Sequence, residues 1–470
     1  MKSSIHDLRI FGGETLFPAP VHVGQPNLLR KEQLEQRMSA VLSSGQLTNH
    51  GPQVRQLEER LSSLLNVRNA VAVCNATTGL QILAKALNLS GEIIMPSFTF
   101  IATAHAMDWI GLTPVFADID PVTHTLCPSA VRRCLSANTS AILGVHVWGN
   151  LCDVESLQAI ADAHSLPLIF DACHAFGSEK EGRPAGQFGR AEVFSLHATK
   201  LVHSLEGGII TTNDDELAAR CRRLRNFGIT GLTEVSDIGI NGKMHELSAA
   251  AGLHSLEDLQ TILAVNFRNR GLWAEQLENV SGLSLLPIPR GQQPNHQYVA
   301  GRVDSSNFGL TRDQLITVLR SEGLFARSYF VPGCHRSAPY CQHSLSGLEL
   351  PVTETILQDV FQLPTGLAVE HSVIVKTGQL LKFVESNSRD ILEEMLTRSA
   401  LGHHPLDPVY FNPARAESQA TRRELGQASE AALIEVRSHS RHEDVIPEPH
   451  LGADIGLDAK ADLNLRTGAY

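Results

Sequence analysis

Seven short apolar runs between residues 70 and 215, alternating with amphipathic stretches, restrict the fold of this chain more than any other feature. They are Ala70–Val73, Glu92–Met95, Pro114–Phe116, Ala141–Val145, Pro167–Phe170, Val193–Leu196 and Gly208–Thr212. β-Branched or apolar runs separated by helical periodicity describe an α/β layer structure, in which a parallel sheet is covered by helices. Several runs end in small or polar residues: Asn75 after the first, Pro96-Ser97 after the second and Asp171 after the fifth. Open α/β sheets bind ligands outside the carboxyl ends of their strands, so these positions are the first candidates for a site.

The rest of the chain divides around this sheet. Residues 216–265 read as largely helical, and 285–385 as a smaller α/β unit with the strand-like run Gln297–Asp304. After residue 386 a helical stretch around Ile391–Leu396 leads into a polar tract. The expected organisation is an N-terminal segment and large domain over 1–265, a small domain over 266–385, and an extension over 386–470 whose sequence suggests no chemistry. The net charge of −11 speaks against a nucleic-acid or anionic membrane surface, so an anionic ligand must be held by local groups. No signal-peptide core or membrane-length apolar run is visible, which places the protein in the cytoplasm. The eight cysteines are scattered without a CxxC pair, a pattern of reduced thiols rather than metal ligands.

Three segments carry candidate chemistry. Asn75-Ala76-Thr77-Thr78-Gly79 follows a strand and opens a helix, where free amides and hydroxyls make a phosphate seat. The bland alternative is that Thr77 only caps the helix. Asp171 ends a buried-type strand, where its carboxylate could keep a cofactor ring nitrogen protonated, or merely cap a turn. Lys200 follows Val193–Leu196 into a loop. A lysine shielded from water near a cationic ring can have its pKa lowered enough to form an imine, although a loop lysine is usually a solvated charge. A phosphate-type helix start, an acid and a lysine, delivered in that order by one sheet, outline a pyridoxal phosphate site.

With these segments the sequence resembles the DegT/DnrJ/EryC1/StrS sugar aminotransferases of the aspartate aminotransferase fold (fold type I), from roughly residue 15 to 385. The matching segments include Ser44–Gly51, Pro96–Thr103, Pro114–Asp120, His146–Gly149, Ser195–Lys200 and Asn241–Ala250. The resemblance implies a large domain with a mainly parallel seven-stranded sheet and a smaller C-terminal α/β domain. It also implies pyridoxal 5'-phosphate bound to Lys200, with Asp171 on the pyridine nitrogen and His174 near the ring and its phenolic oxygen. Phe100 would stack on the ring, with a core aromatic as the competing reading. Ala76, Thr77 and Ser195 would hold the phosphate. Asn241 would reach the phosphate of a neighbouring subunit, making the active site shared in a homodimer. Two positions depart from the family pattern: its common Ser-Gly-Thr is Asn75-Ala76-Thr77, and its usual arginine is Lys243, a point charge in place of a fork.

The implied reaction is a ping-pong transfer of the amino group of L-glutamate to a nucleotide-linked keto sugar, either a 4-keto-6-deoxyhexose or its 3-keto isomer. The product would be an amino sugar for polysaccharide or secondary-metabolite biosynthesis. Arg225–Gly228 and Tyr329–Arg336 are expected on the sugar side, with packing between domains the alternative for both. Three other readings compete. A sugar 3-dehydratase would carry histidine at position 200, a cysteine desulfurase would need a nucleophile such as Cys334, and a non-catalytic regulator would use residues 386–470 as its binding module.

Overall fold

The computed structural model describes residues 2–341 and 349–400. All seven apolar runs form strands of one sheet: β1 (Asn69–Val73), β2 (Glu92–Pro96), β3 (Thr113–Ala117), β4 (Thr139–Val145), β5 (Leu168–Asp171), β6 (Ala191–Ser195) and β7 (Gly208–Thr212). Their spatial order is β1-β7-β6-β5-β4-β2-β3. Every neighbouring pair is parallel except those made by β7, which runs antiparallel to β1 and β6. The strands read as continuous apolar runs because both faces of the sheet are buried. Val71, Val73, Ile93, Met95, Leu143, Ile169, Val193 and Ile210 form one core with the helices Ala76–Ala86, Ile101–Asp108 and Asp215–Leu224. Ala70, Ala72, Ile94, Ile142, Phe170, Phe194 and Ile209 form the other with the helices Pro52–Leu64, Val154–Ala163 and Glu246–Glu257.

The helix Leu259–Leu277 carries the chain from this layer into a second core, with Leu259 and Ile262 in the first and Trp273 and Leu277 in the second. A three-stranded antiparallel sheet of β8 (Leu283–Leu285), β9 (Val299–Val303) and β10 (Val360–Leu363) supports that core. Leu8, Phe11 and Phe17 of the N-terminal segment pack in it too. Buried Glu322 anchors this segment by accepting from the amides of Arg9 and Leu16, both at 2.8 Å, and by pairing with Lys2. The helical stretch expected near residue 391 is the helix Ser388–Ala400, which buries Ile391 and Met395 in the same core. The remainder of the polar extension, 401–470, lies outside the described residues.

The expectation of a largely helical 216–265 is corrected for 225–245, which form a loop between the helices Asp215–Leu224 and Glu246–Glu257. Phe227 and Gly228 have positive φ of 59° and 76°. A Cβ at Gly228 would lie 1.8 Å from the carbonyl oxygen of Asp237, so the chain doubles back on itself where only glycine fits.

Candidate active site

The carboxyl ends of β1, β4, β5 and β6 open into a cavity of about 320 Å³. Ala76, Thr77, Phe100, Asp171, His174, Ser195 and Lys200 all line it, so the structure brings together every expected site residue except Asn241. Asn241 is exposed in the 225–245 loop and does not reach the cavity of its own chain.

At the phosphate seat, Asn75 rather than Thr77 caps the helix Ala76–Ala86: its side chain accepts from the Thr78 amide at 2.8 Å. The reading of Thr77 as a mere cap is therefore excluded. The amides of Ala76 and Thr77, in the first turn of the helix, have no intrahelical acceptor and carry the positive end of its dipole. Strand β7 passes directly beneath this turn, and a Cβ on Gly208 would come within 2.7 Å of the Ala76 nitrogen. The hydroxyl-bearing Ser195 ends β6 on the same wall. Together these groups form a cradle of donors suited to a phosphate.

Asp171 is buried at the end of β5, and both of its oxygens are occupied. Thr103 Oγ1 donates to Oδ2 at 2.8 Å, and the Cys173 amide donates to Oδ1 at 3.1 Å. Thr103 in turn shares a 2.8 Å hydrogen bond with Thr99 Oγ1. Three residues on, His174 Nδ1 accepts from the Trp148 amide at 3.4 Å, which leaves Nε2 to carry the proton of the neutral ring. Burial, and then the nearby Lys200, push the His174 pKa well below its ordinary value, so the ring stays neutral.

Lys200 Nζ donates to the Tyr298 hydroxyl at 2.9 Å. Burial alone would lower its pKa, but Tyr298, Cys173 and Asp171 outweigh burial, and the net direction is upward. This reverses the lowering expected from the sequence, which presupposed a cationic ring beside the amine. The chain by itself sets the Tyr298 hydroxyl, Cys173 and Asp171 around the lysine instead. Phe100 is 58% exposed and faces the cavity from the start of the helix Ile101–Asp108, which removes the reading of it as a core aromatic.

The sugar-side expectations divide. Tyr329 and Phe330 line the cavity, with Phe330 stacked on Trp148 at 5.6 Å. Arg225 does not line it: the residue is buried, pairs with Glu58 and donates to the carbonyl of Ala72, so its role is packing. Cys334 is 2% exposed, and burial drives its thiol pKa up to about 12, the opposite of a nucleophile on a mobile loop. The desulfurase reading falls with it.

Sequence reasoning missed Thr99, Thr103, Tyr298, His197 and Glu206, all of which line the cavity. Thr99 precedes the helix Ile101–Asp108 and Thr103 lies in its first turn, and nothing in their spacing announced Asp171 as their partner. Nothing local to Tyr298 announced its partner. No group of His, Cys, Asp and Glu suited to a metal ion occurs among the described residues, and none of their helices is long and apolar enough to cross a membrane.

A phosphate cradle, a pinned carboxylate, an aromatic face and an amine in one cavity fit pyridoxal phosphate. Comparison with known proteins agrees. Residues 29–377 match the DegT/DnrJ/EryC1/StrS aminotransferase family. The chain is 38% identical over 314 residues to dTDP-4-amino-4,6-dideoxy-D-glucose transaminase of Shigella dysenteriae, covering 67% of this chain and 85% of the relative. It is 31% identical over 363 residues to the transaminase of that name from Escherichia coli, covering 77% and 98%. The structure of DesI in the presence of its TDP-sugar product superimposes with a TM-score of 0.80 at 45% identity, over 83% of this chain and 99% of that one.

Proposed function

Because this chain belongs to the DegT/DnrJ/EryC1/StrS aminotransferase family, and is thereby a pyridoxal-phosphate-dependent sugar aminotransferase acting on a nucleotide-linked sugar, we propose that its acceptor is a nucleoside-diphosphate 4-keto-6-deoxyhexose and its donor L-glutamate. Glutamate leaves as 2-oxoglutarate, and the keto sugar gains an amino group in place of its carbonyl oxygen. The observation that carries this reading is the meeting of Lys200, Asp171 and the Ala76–Thr77 helix start in one cavity. The 4-position is supported by two relatives named for 4-amino-4,6-dideoxy-glucose. Cytoplasmic amino-sugar synthesis for a polysaccharide or secondary metabolite suits such a product.

When bound, the protonated pyridine ring is the electron sink that makes the carbon bearing the transferred nitrogen acidic. Asp171 holds the proton on that ring nitrogen, and Thr103 and the Cys173 amide hold Asp171. Ala76, Thr77 and Ser195 fix the phosphate. Phe100 offers an aromatic face, and neutral His174 offers Nε2–H to the phenolic oxygen. Lys200 Nζ would hold the cofactor in the resting enzyme and, when free, would take up and return the proton of the reacting carbon.

Asn241 is assigned to the cavity of a second copy. The loop that carries it exposes Leu232, Val235 and Ile238, apolar residues whose burial against that copy would favour a homodimer. The half-reaction is tested by the near-ultraviolet and visible spectrum of the reconstituted protein before and after L-glutamate, beside Lys200→Ala. Wild type should convert to the pyridoxamine form and the variant should not; a wild type that binds no pyridoxal phosphate would overturn the assignment. A panel of 4-keto and 3-keto nucleotide sugars offered to the pyridoxamine form then decides the acceptor. Site sharing predicts that mixing inactive Lys200→Ala with Asn241→Ala subunits restores activity, since each mixed dimer regains one intact site. No recovery on subunit exchange would overturn the sharing of the site between subunits.

A further inference from the structure

We propose that Tyr298 is a further catalytic residue, whose phenol holds Lys200 Nζ at the reacting end of the cavity whenever that nitrogen is not bonded to the cofactor. The inference rests on the reading of Lys200 as the cofactor lysine. Tyr298 immediately precedes β9, and its hydroxyl lies 2.9 Å from Nζ. The approach to that strand is fastened to the lysine loop and to the His174 turn. Buried Asn295 donates to the carbonyls of His174 at 2.8 Å and Phe176 at 2.9 Å. Gln297 Nε2 donates to the carbonyl of Thr199 at 2.8 Å. The Tyr298 ring itself lies 4.1 Å from the His174 ring. Two side chains of one short segment, Asn295 and Gln297, thus hold the His174 turn and the lysine loop, and a third, Tyr298, holds the amine.

A phenol suits this task because it both donates and accepts. When Nζ is an ammonium, its N–H donates to the Tyr298 oxygen; when it is a neutral amine, the Tyr298 O–H donates to the nitrogen lone pair. One contact therefore survives gain or loss of a proton at Nζ, and Tyr298 keeps its own proton in both states. Burial raises the Tyr298 pKa against the pull of Lys200, which maintains the neutral phenol. A lysine side chain is long and flexible, and without this partner a released amine would sample the cavity or turn toward Asp171.

The test is Tyr298→Phe in the full chain, which keeps the ring and removes only the hydroxyl. The single-turnover rate with L-glutamate is expected to fall about ten- to a hundredfold, the worth of one hydrogen bond to a charged group, while pyridoxal phosphate is still bound. In the cofactor-free protein, Asp171, Cys173 and His174 also face Lys200. Losing the phenol, one of the groups that raise the Lys200 pKa, should lower the pH at which Lys200 is half-labelled by an amine reagent. Tyr298→His, which restores a donor and acceptor, should recover part of both effects. Unchanged rate or unchanged labelling in Tyr298→Phe would overturn the proposal. A Lys200→Ala protein with normal spectrum and turnover would instead remove the lysine reading itself. An inert Lys200→Ala beside a wild-type-like Tyr298→Phe would remove only this inference.

Discussion

A carboxylate that must remain charged in a buried site needs its lone pairs occupied, and Asp171 meets that need through Thr103 and the Cys173 amide. Thr103→Val keeps the shape of the side chain but leaves Oδ2 without its donor. Pyridoxal phosphate should then bind about tenfold more weakly, with Thr103→Ser close to wild type. Cofactor titration followed by absorbance measures this, and unchanged affinity would show that the Thr99–Thr103 pair is structural only. Asp171 and Lys200 were legible because strand ends followed by an acid or a lysine are rare enough in combination to stand out. Thr103 and Tyr298 were not, because their meaning lies in partners 68 and 98 residues away.

Among elements, the helix Ala76–Ala86 combines two roles at its start, and two substitutions separate them. Asn75→Ala removes the cap and should cost about 1 kcal/mol of stability. Asn75→Asp retains an acceptor for the Thr78 amide but sets a negative charge beside the phosphate seat, so it should weaken cofactor binding with little change in melting temperature. A cofactor affinity insensitive to that charge would move the phosphate elsewhere. Glu58 is the corresponding joint on the other face of the sheet. It ties the helix Pro52–Leu64 to the Ala72 amide in β1 and to Arg225 beyond the helix Asp215–Leu224. Burial raises its pKa, but the His50 hydrogen bond, Arg225 and the Ala72 amide outweigh it and bring it from 4.5 to about 2. A lowered carboxyl pKa stabilises the fold above the unfolded value and loses that contribution as pH falls through the folded value. Roughly 3 kcal/mol should therefore disappear between about pH 4.5 and 2. Urea midpoints measured across that range should fall more steeply for wild type than for Glu58→Gln, and parallel curves would refute the assignment.

For the whole molecule, the useful truncation lies after Ala400 rather than at the expected boundary between 385 and 386, because Ile391 and Met395 belong to the second core. Ending the chain after Asn387 removes both and should cost roughly 3 kcal/mol or more. Ending it after Ala400 should leave the melting temperature and the glutamate half-reaction unchanged; loss of either would give residues 401–470 a part in the enzyme and revive the regulatory reading in a new form. The sequence by itself determined the seven strands of the large sheet, since strands buried on both faces must be apolar throughout, and the order in which helix start, acid and lysine arrive. Tertiary structure alone decided that Phe100 faces the cavity while Cys334 is sealed in the core, and that Arg225 is consumed by Glu58. It also decided that 225–245 turns back on itself and that Tyr298 meets Lys200. Apolar periodicity is a local property that a strand or helix carries in its own residues. Burial, a proton's partner and the fit of a glycine are set by atoms that folding brings from elsewhere in the chain.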